Sequence, residues 1–174
     1  MVRDPDGYPV ELMELSPAPS TPAPADSPVL GAHMTVVVDD LMASLAFYQR
    51  LAGPDLQAGV PSDWHTNAAV SRLRAIPELA FRTASLRLPG SAIVLELVEY
   101  RDPPASSYRP VFQDIGHGHV AFIVKDIQET VQRMKAAGAT SISKAGTWTQ
   151  INATTRAVYT RDPDGFFLEI LERR

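Results

Sequence analysis

The sequence predicts an α+β chain made of two βαβββ units, and three observations carry the prediction. First, the chain repeats itself. His33-Met-Thr-Val-Val-Val-Asp39-Asp40-Leu41 parallels His119-Val-Ala-Phe-Ile-Val-Lys-Asp126-Ile127, each a β-branched run from a His to an Asp followed by Leu or Ile. Second, a helical pattern follows each run. Ser44, Leu45, Phe47, Tyr48 and Leu51 share one face of a helix that ends at Gly53-Pro54, and Ile127, Val131, Met134 and Ala137 mark another that ends at Gly138. Third, strand-like runs follow each helix: Phe81–Leu88 and Ile93–Glu99 in the first half, and Thr140–Ser143, Ala157–Thr160 and Phe166–Leu171 in the second.

The elements can be justified in order. Seven of the 15 prolines lie in the first 28 residues, and the Pro/Ala/Ser-rich stretch 16–29 reads as an extended linker because each proline fixes φ and removes a donor. The folded body therefore spans 30–174, with the first unit at about 30–100 and the second at about 116–174. Residues 54–77 are poor in strand signal and read as a long loop, with a short helix at Asn67–Leu73; loops of that length usually cover a site. Leu88-Pro-Gly-Ser91 breaks the two strands of the first half. Arg161-Asp-Pro-Asp-Gly165 is a hairpin turn, with proline preset for the turn and glycine free to take positive φ.

Composition removes whole classes of function. With 174 residues, 45% hydrophobic and 21% charged, the chain has an ordinary globular composition. A net charge of −4 argues against nucleic acid or an anionic membrane as partner. There is no cysteine, which excludes disulfides, thiolate metal sites and cysteine nucleophiles. No apolar run is long enough to span a bilayer, and the N-terminus has no apolar signal region, so a cytoplasmic chain with a small-molecule substrate is expected.

Four polar residues interrupt apolar strands, where charge is costly. His33 and His119 open the first strand of each repeat, Glu96 sits in Ile-Val-Leu-Glu-Leu-Val, and Glu169 sits in Phe-Phe-Leu-Glu-Ile-Leu. A carboxylate on a covered strand face must be paired, protonated or metal-bound. Two imidazoles and two carboxylates suit Zn²⁺, Ni²⁺, Fe²⁺ or Mn²⁺, without choosing among them. Each half gives one His and one Glu, and a pseudo-twofold would bring the four together. A single strand Glu or His is more often solvent-facing or structural, and the recurrence of the pair is what favours a metal. His117, two residues before His119, is the alternative ligand. His65, beside Trp64 in the long loop, is expected to be exposed.

These motifs resemble those of the vicinal oxygen chelate superfamily, which includes glyoxalase I, fosfomycin-resistance enzymes, methylmalonyl-CoA epimerase, ring-cleaving dioxygenases and bleomycin-resistance proteins. The matching residues are His33-x5-Asp39-Asp40-Leu-x2-Ser44-Leu-x-Phe47-Tyr48, Glu96, Gly118-His119-Val-Ala-Phe-x-Val, and Asp162-Pro-Asp-Gly-x3-Glu169, so they cover the body. The resemblance implies a glyoxalase-like fold, paired βαβββ repeats forming a curved mixed-sheet half-barrel around a divalent metal. It places His33, Glu96, His119 and Glu169 on the ligand positions of glyoxalase I, with Glu169 as base and Glu96 as second candidate. It also implies a lyase or isomerase acting on a small oxygen-chelating substrate.

The departures bear on the substrate. Bacterial glyoxalase I carries an Arg where this chain has Val37 and an Asn where it has Tyr100, which argues against glutathione. Tyr159, ten residues before Glu169, resembles the ring-cleaving dioxygenases, but Gln150-Ile-Asn152 stands where they carry a supporting His. Tyr159, Tyr100 and His117 are the candidate substrate-binding residues. The alternatives to a lyase are such a dioxygenase or a metal-free protein that sequesters a drug or aromatic ligand. Superfamily members of this size commonly pair, so a homodimer is expected, with His33 and Glu96 of one chain meeting the second pair of its partner.

Residues 1–15 repeat the chain's end: Asp4-Pro-Asp-Gly-Tyr-Pro-Val-Glu11 matches Asp162-Pro-Asp-Gly-Phe-Phe-Leu-Glu169. They look like the last strand of a preceding module whose remainder is not in this chain. The plainer alternative is a strand covering a sheet edge, where Pro9 would be tolerated.

Overall fold

The computed structural model describes residues 1–14, 27–102, 109–143 and 146–174. Most of the expected linker, 16–29, lies outside them. In chain order the elements are β1 (Val2–Arg3), β2 (Pro9–Val10), β3 (His33–Val38), α1 (Leu41–Ala52), β4 (Gln57–Ala58), β5 (His65–Thr66), α2 (Ala68–Arg74), β6 (Ala80–Arg87) and β7 (Val94–Asp102). They continue as β8 (His119–Val124), α3 (Ile127–Ala136), β9 (Thr140–Ser141), β10 (Thr149–Asn152), β11 (Thr155–Arg161) and β12 (Phe167–Arg173). One sheet has the order β3-β7-β6-β4, with β5 also on β6; the other has the order β10-β11-β12-β8, with β9 also on β11. In the second sheet β12 and β8 run parallel, as a βαβββ unit requires. Neither sheet closes into a barrel, and the paired βαβββ architecture is the one the repeat predicts. No helix among the described residues is long and apolar enough to cross a membrane.

Local chemistry sets the helix ends. Asp40 is the N-cap of α1, its carboxylate accepting from the backbone N–H groups of Met42 and Ala43, and Gly53 closes the helix at φ 78°. Asp126 caps α3 by accepting from Glu129 N–H, and the Glu172 carboxylate accepts from Ile127 N–H. The short helix expected at Asn67–Leu73 is α2, with Asn67 accepting from Ala69 and Val70 N–H. β10 was not expected. Its Thr-Gln-Ile-Asn sequence is exposed throughout and gives no apolar alternation to read.

The chain divides into two units. One holds β1 to β7 and α2, with β3 included up to Val37; the other holds α1 and everything from β8 onward. Helix α1 is thus encoded in the first repeat and belongs to the second unit. The hairpin turn between β11 and β12 holds it there. Asp164 accepts from Asp39 N–H at 3.0 Å and from the Ser44 hydroxyl at 2.7 Å. The buried Asp162 accepts from the Tyr48 hydroxyl at 2.9 Å. Around these bonds Leu41, Phe47, Tyr48, Leu51, Ile127, Met134, Leu168 and Ile170 are almost wholly buried. Each such side chain contributes roughly 1.5–3 kcal/mol.

The N-terminal Arg-Asp-Pro-Asp-Gly segment folds into the same turn as its C-terminal copy. Gly7 N–H donates to Asp4 O, Tyr8 N–H to the Asp4 carboxylate and Arg3 to Gly7 O. Gly165, Phe166 and Arg161 make the corresponding bonds around Asp162. Gly7 and Gly165 both need positive φ, 88° and 95°. Among the described residues β1 and β2 pair only with each other, in register Val2 with Val10.

Candidate functional site

Strand alternation gives each sheet two faces, and register assigns the polar residues to them. In the first unit Ser85 lies opposite Glu96, Thr83 opposite Val98 and Phe81 opposite Tyr100. These share one face, while Leu86 with Leu95 and Ala84 with Leu97 are buried on the other. Thr35 donates to the Glu96 carboxylate at 3.3 Å, which puts Glu96 on the face of β3 that also carries His33 and Val37. His33 and Glu96 therefore project from one face of one sheet. One end of that face is covered. Leu79, Phe81 and Val98 form a buried cluster, with Val70 of α2, Ile76 and Tyr100 packed on it. The long loop that reads as a cover therefore contributes that cover through α2 and the residues after it. Tyr100 belongs to the cluster, with the Arg74 guanidinium 5.4 Å from its ring centre. His65 is exposed and its ring lies 4.3 Å from that of Phe81.

In the second unit the parallel register sets His119 beside Phe167, Ala121 beside Glu169 and Ile123 beside Leu171. The antiparallel register sets Tyr159 opposite Glu169 and Arg161 opposite Phe167. His119, Glu169, Tyr159, Phe167 and Arg161 therefore share a face. His119 Nε2 lies 3.4 Å from Glu169 Oε2. Burial, then a hydrogen bond to Glu169, then the charge of that carboxylate push the Tyr159 phenol up to about 12, so Tyr159 stays a donor to Glu169 at neutral pH. The His117 ring packs on Phe167 at 4.0 Å and lies 6.2 Å from the His119 ring. Its Nε2 is buried with no hydrogen-bond partner among the described residues. Burial foremost, then His119 and Arg161, lowers its pKa, so it stays neutral. Of the two imidazoles, His119 is the one that meets Glu169.

The 3.4 Å separation is informative. It is longer than a good N–H···O bond, roughly 2.7–3.2 Å. It fits two ligand atoms bound side by side to one ion with bonds of about 2.1 Å. The donor set of the second unit thus suits a divalent cation. The structure brings together His119, Glu169, Tyr159 and His117 in one unit, and His33 with Glu96 in the other. Among the described residues no three His, Cys, Asp or Glu side chains form a metal-binding group.

Sequence reasoning missed Phe112. Its ring touches four others: His117 at 5.3 Å, His119 at 6.2 Å, Tyr159 at 4.7 Å and Phe167 at 6.1 Å between centres. It sits outside any strand or helix, so periodicity could not have flagged it.

Comparison with known proteins assigns the chain's family and fold. Residues 32–170 match the family model of the Glyoxalase/Bleomycin resistance protein/Dioxygenase superfamily. Lactoylglutathione lyases from two strains of Neisseria meningitidis, serogroups A and B, are each 27% identical over 146 residues, covering 82% of this chain and 89% of theirs. A glyoxalase family protein from Bacillus cereus shares the fold with a TM-score of 0.74 at 21% identity, covering 87% of this chain and 99% of that one. A genomically encoded fosfomycin resistance protein from Listeria monocytogenes matches with a TM-score of 0.52 at 16% identity, covering 82% of this chain and 92% of that one.

Proposed function

The chain belongs to the Glyoxalase/Bleomycin resistance protein/Dioxygenase superfamily, and from that premise we propose that it is a divalent-metal-dependent enzyme of the lyase or isomerase type, acting on a small oxygen-chelating substrate. The observation that carries the proposal is the His119–Glu169 pair at 3.4 Å. An imidazole nitrogen and a carboxylate oxygen at that spacing, on a face shared with Tyr159, make a preformed half of a metal site. His33 and Glu96 on one face of the first sheet supply the complementary half. The relationship to the Neisseria lactoylglutathione lyases supports lyase chemistry for this chain.

In this reading His33, Glu96, His119 and Glu169 hold the ion, which is Ni²⁺, Zn²⁺, Fe²⁺ or Mn²⁺. When bound, such an ion supplies Lewis-acid stabilisation of an oxyanion on the substrate. Glu169 removes the proton from the carbon beside the chelated oxygens and returns it at the neighbouring carbon, and Glu96 is the second candidate for this work. Tyr159, a donor at neutral pH, holds Glu169 in orientation between these two positions. Val37 and Tyr100, where bacterial glyoxalase I has Arg and Asn, point to a substrate other than a glutathione adduct. The enzyme is a cytoplasmic homodimer in which each site draws one His–Glu pair from each chain.

A substrate panel tests the proposal: hemithioacetals of methylglyoxal with glutathione and with smaller thiols, 2-hydroxy ketones, and catechols with oxygen uptake. The expected result is turnover that chelation abolishes and a divalent ion restores. Turnover that survives chelation, or no metal binding alongside tight binding of an aromatic ligand, would overturn it in favour of sequestration. Tyr159 beside Glu169 favours a second reading, a ring-cleaving dioxygenase, which oxygen uptake with catechols would reveal.

A further inference from the structure

Helix α2 ends on Arg74, and the chain behind it is locked in an unusual conformation. Ala75 and Glu78 both take positive φ, 55° and 50°, although neither is glycine. Such conformations cost free energy and persist where the surroundings over-determine them. Here Ala75 N–H donates to Arg72 O, Ile76 N–H to Ser71 O and Leu79 N–H to the Ser71 hydroxyl. Ile76 and Leu79 also anchor the segment in the cluster with Phe81, Val98 and Tyr100. Arg74 is held against the Tyr100 ring, 5.4 Å from its centre. Its Nε is buried without a hydrogen-bond partner, and among the described residues no carboxylate pairs with the guanidinium. The carbonyls of the last helical turn favour a cation, but Arg72 serves that purpose too and is exposed. What sets Arg74 apart is a donor taken out of water with nothing to accept from it, which is a costly state.

Register puts Tyr100 on the face of the first sheet that carries Glu96, four residues and about 13 Å along β7. Glu96, Tyr100 and Arg74 are each half-buried, so each keeps part of its surface open. We infer that Arg74 is a specificity-determining residue: it binds an oxyanion, a carboxylate or its equivalent, that the substrate carries about 10 Å from its chelating oxygens. A guanidinium offers Nε–H and one terminal N–H as two parallel donors, which match the two oxygens of a carboxylate. Rotation about the last torsions of the side chain turns that edge to an arriving oxyanion, and binding relieves the unpaired Nε. One guanidinium serves one oxyanion, so the preferred substrate has a single negative group at that end. The inference rests on reading Glu96 as part of the site, and it adds the charge of the substrate that the site takes.

The test titrates three probes into the full chain, with added divalent metal and after chelation. Octanedioic acid monohydroxamate has a two-oxygen chelating group and, about 10 Å away, a carboxylate. Octanohydroxamic acid has the same chelating group and no charge at the far end. Octanoate has the carboxylate and no chelating group. Wild type is compared with Arg74→Gln, Arg74→Lys and the exposed control Arg72→Gln, and thermal melts confirm that each variant folds. Arg74→Gln should weaken the monohydroxamate by about tenfold or more and leave octanohydroxamic acid within about twofold. Arg74→Lys should keep part of the difference, and Arg72→Gln should keep all of it. Equal weakening of the two hydroxamates, weakening of neither, or the same loss in Arg72→Gln would overturn the inference. So would a wild type that binds none of the probes. Octanoate separates this inference from the metal reading. If metal tightens neither hydroxamate, yet octanoate and the monohydroxamate both weaken in Arg74→Gln, the metal reading fails and Arg74 stands. If metal tightens both hydroxamates and Arg74→Gln changes nothing, Arg74 fails and the metal reading stands.

Discussion

Replacing Tyr48 with Phe probes the contact that fastens α1 to the second unit. The substitution removes one oxygen and keeps the ring, so packing against Phe47 at 5.3 Å and Phe122 at 6.4 Å is retained. What is lost is the 2.9 Å hydrogen bond to Asp162, a carboxylate only 2% exposed. A bond to a charged group is worth about 1.5–3 kcal/mol, and the acceptor is left buried. For a chain of this size each kcal/mol shifts the melting temperature by about 2–4 °C, so a fall of roughly 3–12 °C is expected. The loss should also depend on pH. Burial raises the Asp162 carboxyl to about 6, against an ordinary value of 3.8, and the Tyr48 bond works in the opposite direction. Between those values the folded chain binds more protons than the unfolded one. Asp162 therefore contributes stability that is full below pH 3.8 and lost as pH rises through about 6, a span worth about 3 kcal/mol. Without Tyr48 the folded value moves higher still, and the loss continues toward neutral pH. The difference between wild type and Tyr48→Phe should thus grow from pH 5.5 to pH 8, measured by urea unfolding at each pH. In Asp162→Asn both the titration and its dependence on Tyr48 should vanish. A Tyr48→Phe cost under about 0.5 kcal/mol, or one equal at both pH values, would refute the reasoning.

Other expectations follow from the same contacts. Tyr159→Phe removes the donor to Glu169 and should weaken metal binding by about tenfold or more with little change in stability, as isothermal titration can measure. Asp40→Ala deletes the α1 cap and should cost about 1 kcal/mol in denaturant unfolding. His117→Ala should leave metal content nearly unchanged, since His119 is the imidazole that meets Glu169; a metal-free His117→Ala protein would reverse that assignment. Co-folding a His33→Ala chain with a Glu169→Ala chain should partly restore activity if sites are shared between chains. Under closure within one chain every site keeps a lesion, and no activity returns.

Much of this was legible in the residues, for identifiable reasons. The end of α1 at Gly53 could be read because its φ of 78° suits glycine, whereas the capping roles of Asp40 and Asp126 come from the structure. The turn at Asp162–Gly165 could be read because proline fixes its own φ at a turn value and glycine is free to take the positive φ that the turn needs. The face used by Glu96 and Glu169 could not. Leu95 and Leu97 flank the first, Leu168 and Ile170 flank the second, and such neighbours say nothing about which side the carboxylate takes. The Thr35 and His119 contacts decide it, and both cross between strands. The placement of α1 in the second unit was equally hidden. It depends on Tyr48 with Asp162 and Ser44 with Asp164, pairs separated by 114 and 120 residues. Phe112 escaped for the opposite reason, since a residue outside regular structure has no period to betray it.

The central claim is that Glu169 and His119 belong to a divalent-metal site. It is tested most directly by elemental analysis of the chain purified without added metal, wild type beside Glu169→Gln. Gln keeps the size and one carbonyl oxygen of Glu but removes the charge. The account predicts about one equivalent of a divalent ion per four-ligand site in wild type and a sharp loss in Glu169→Gln. Full occupancy in Glu169→Gln, or no metal in wild type even after loading with each of Ni²⁺, Zn²⁺, Fe²⁺ and Mn²⁺, would contradict it.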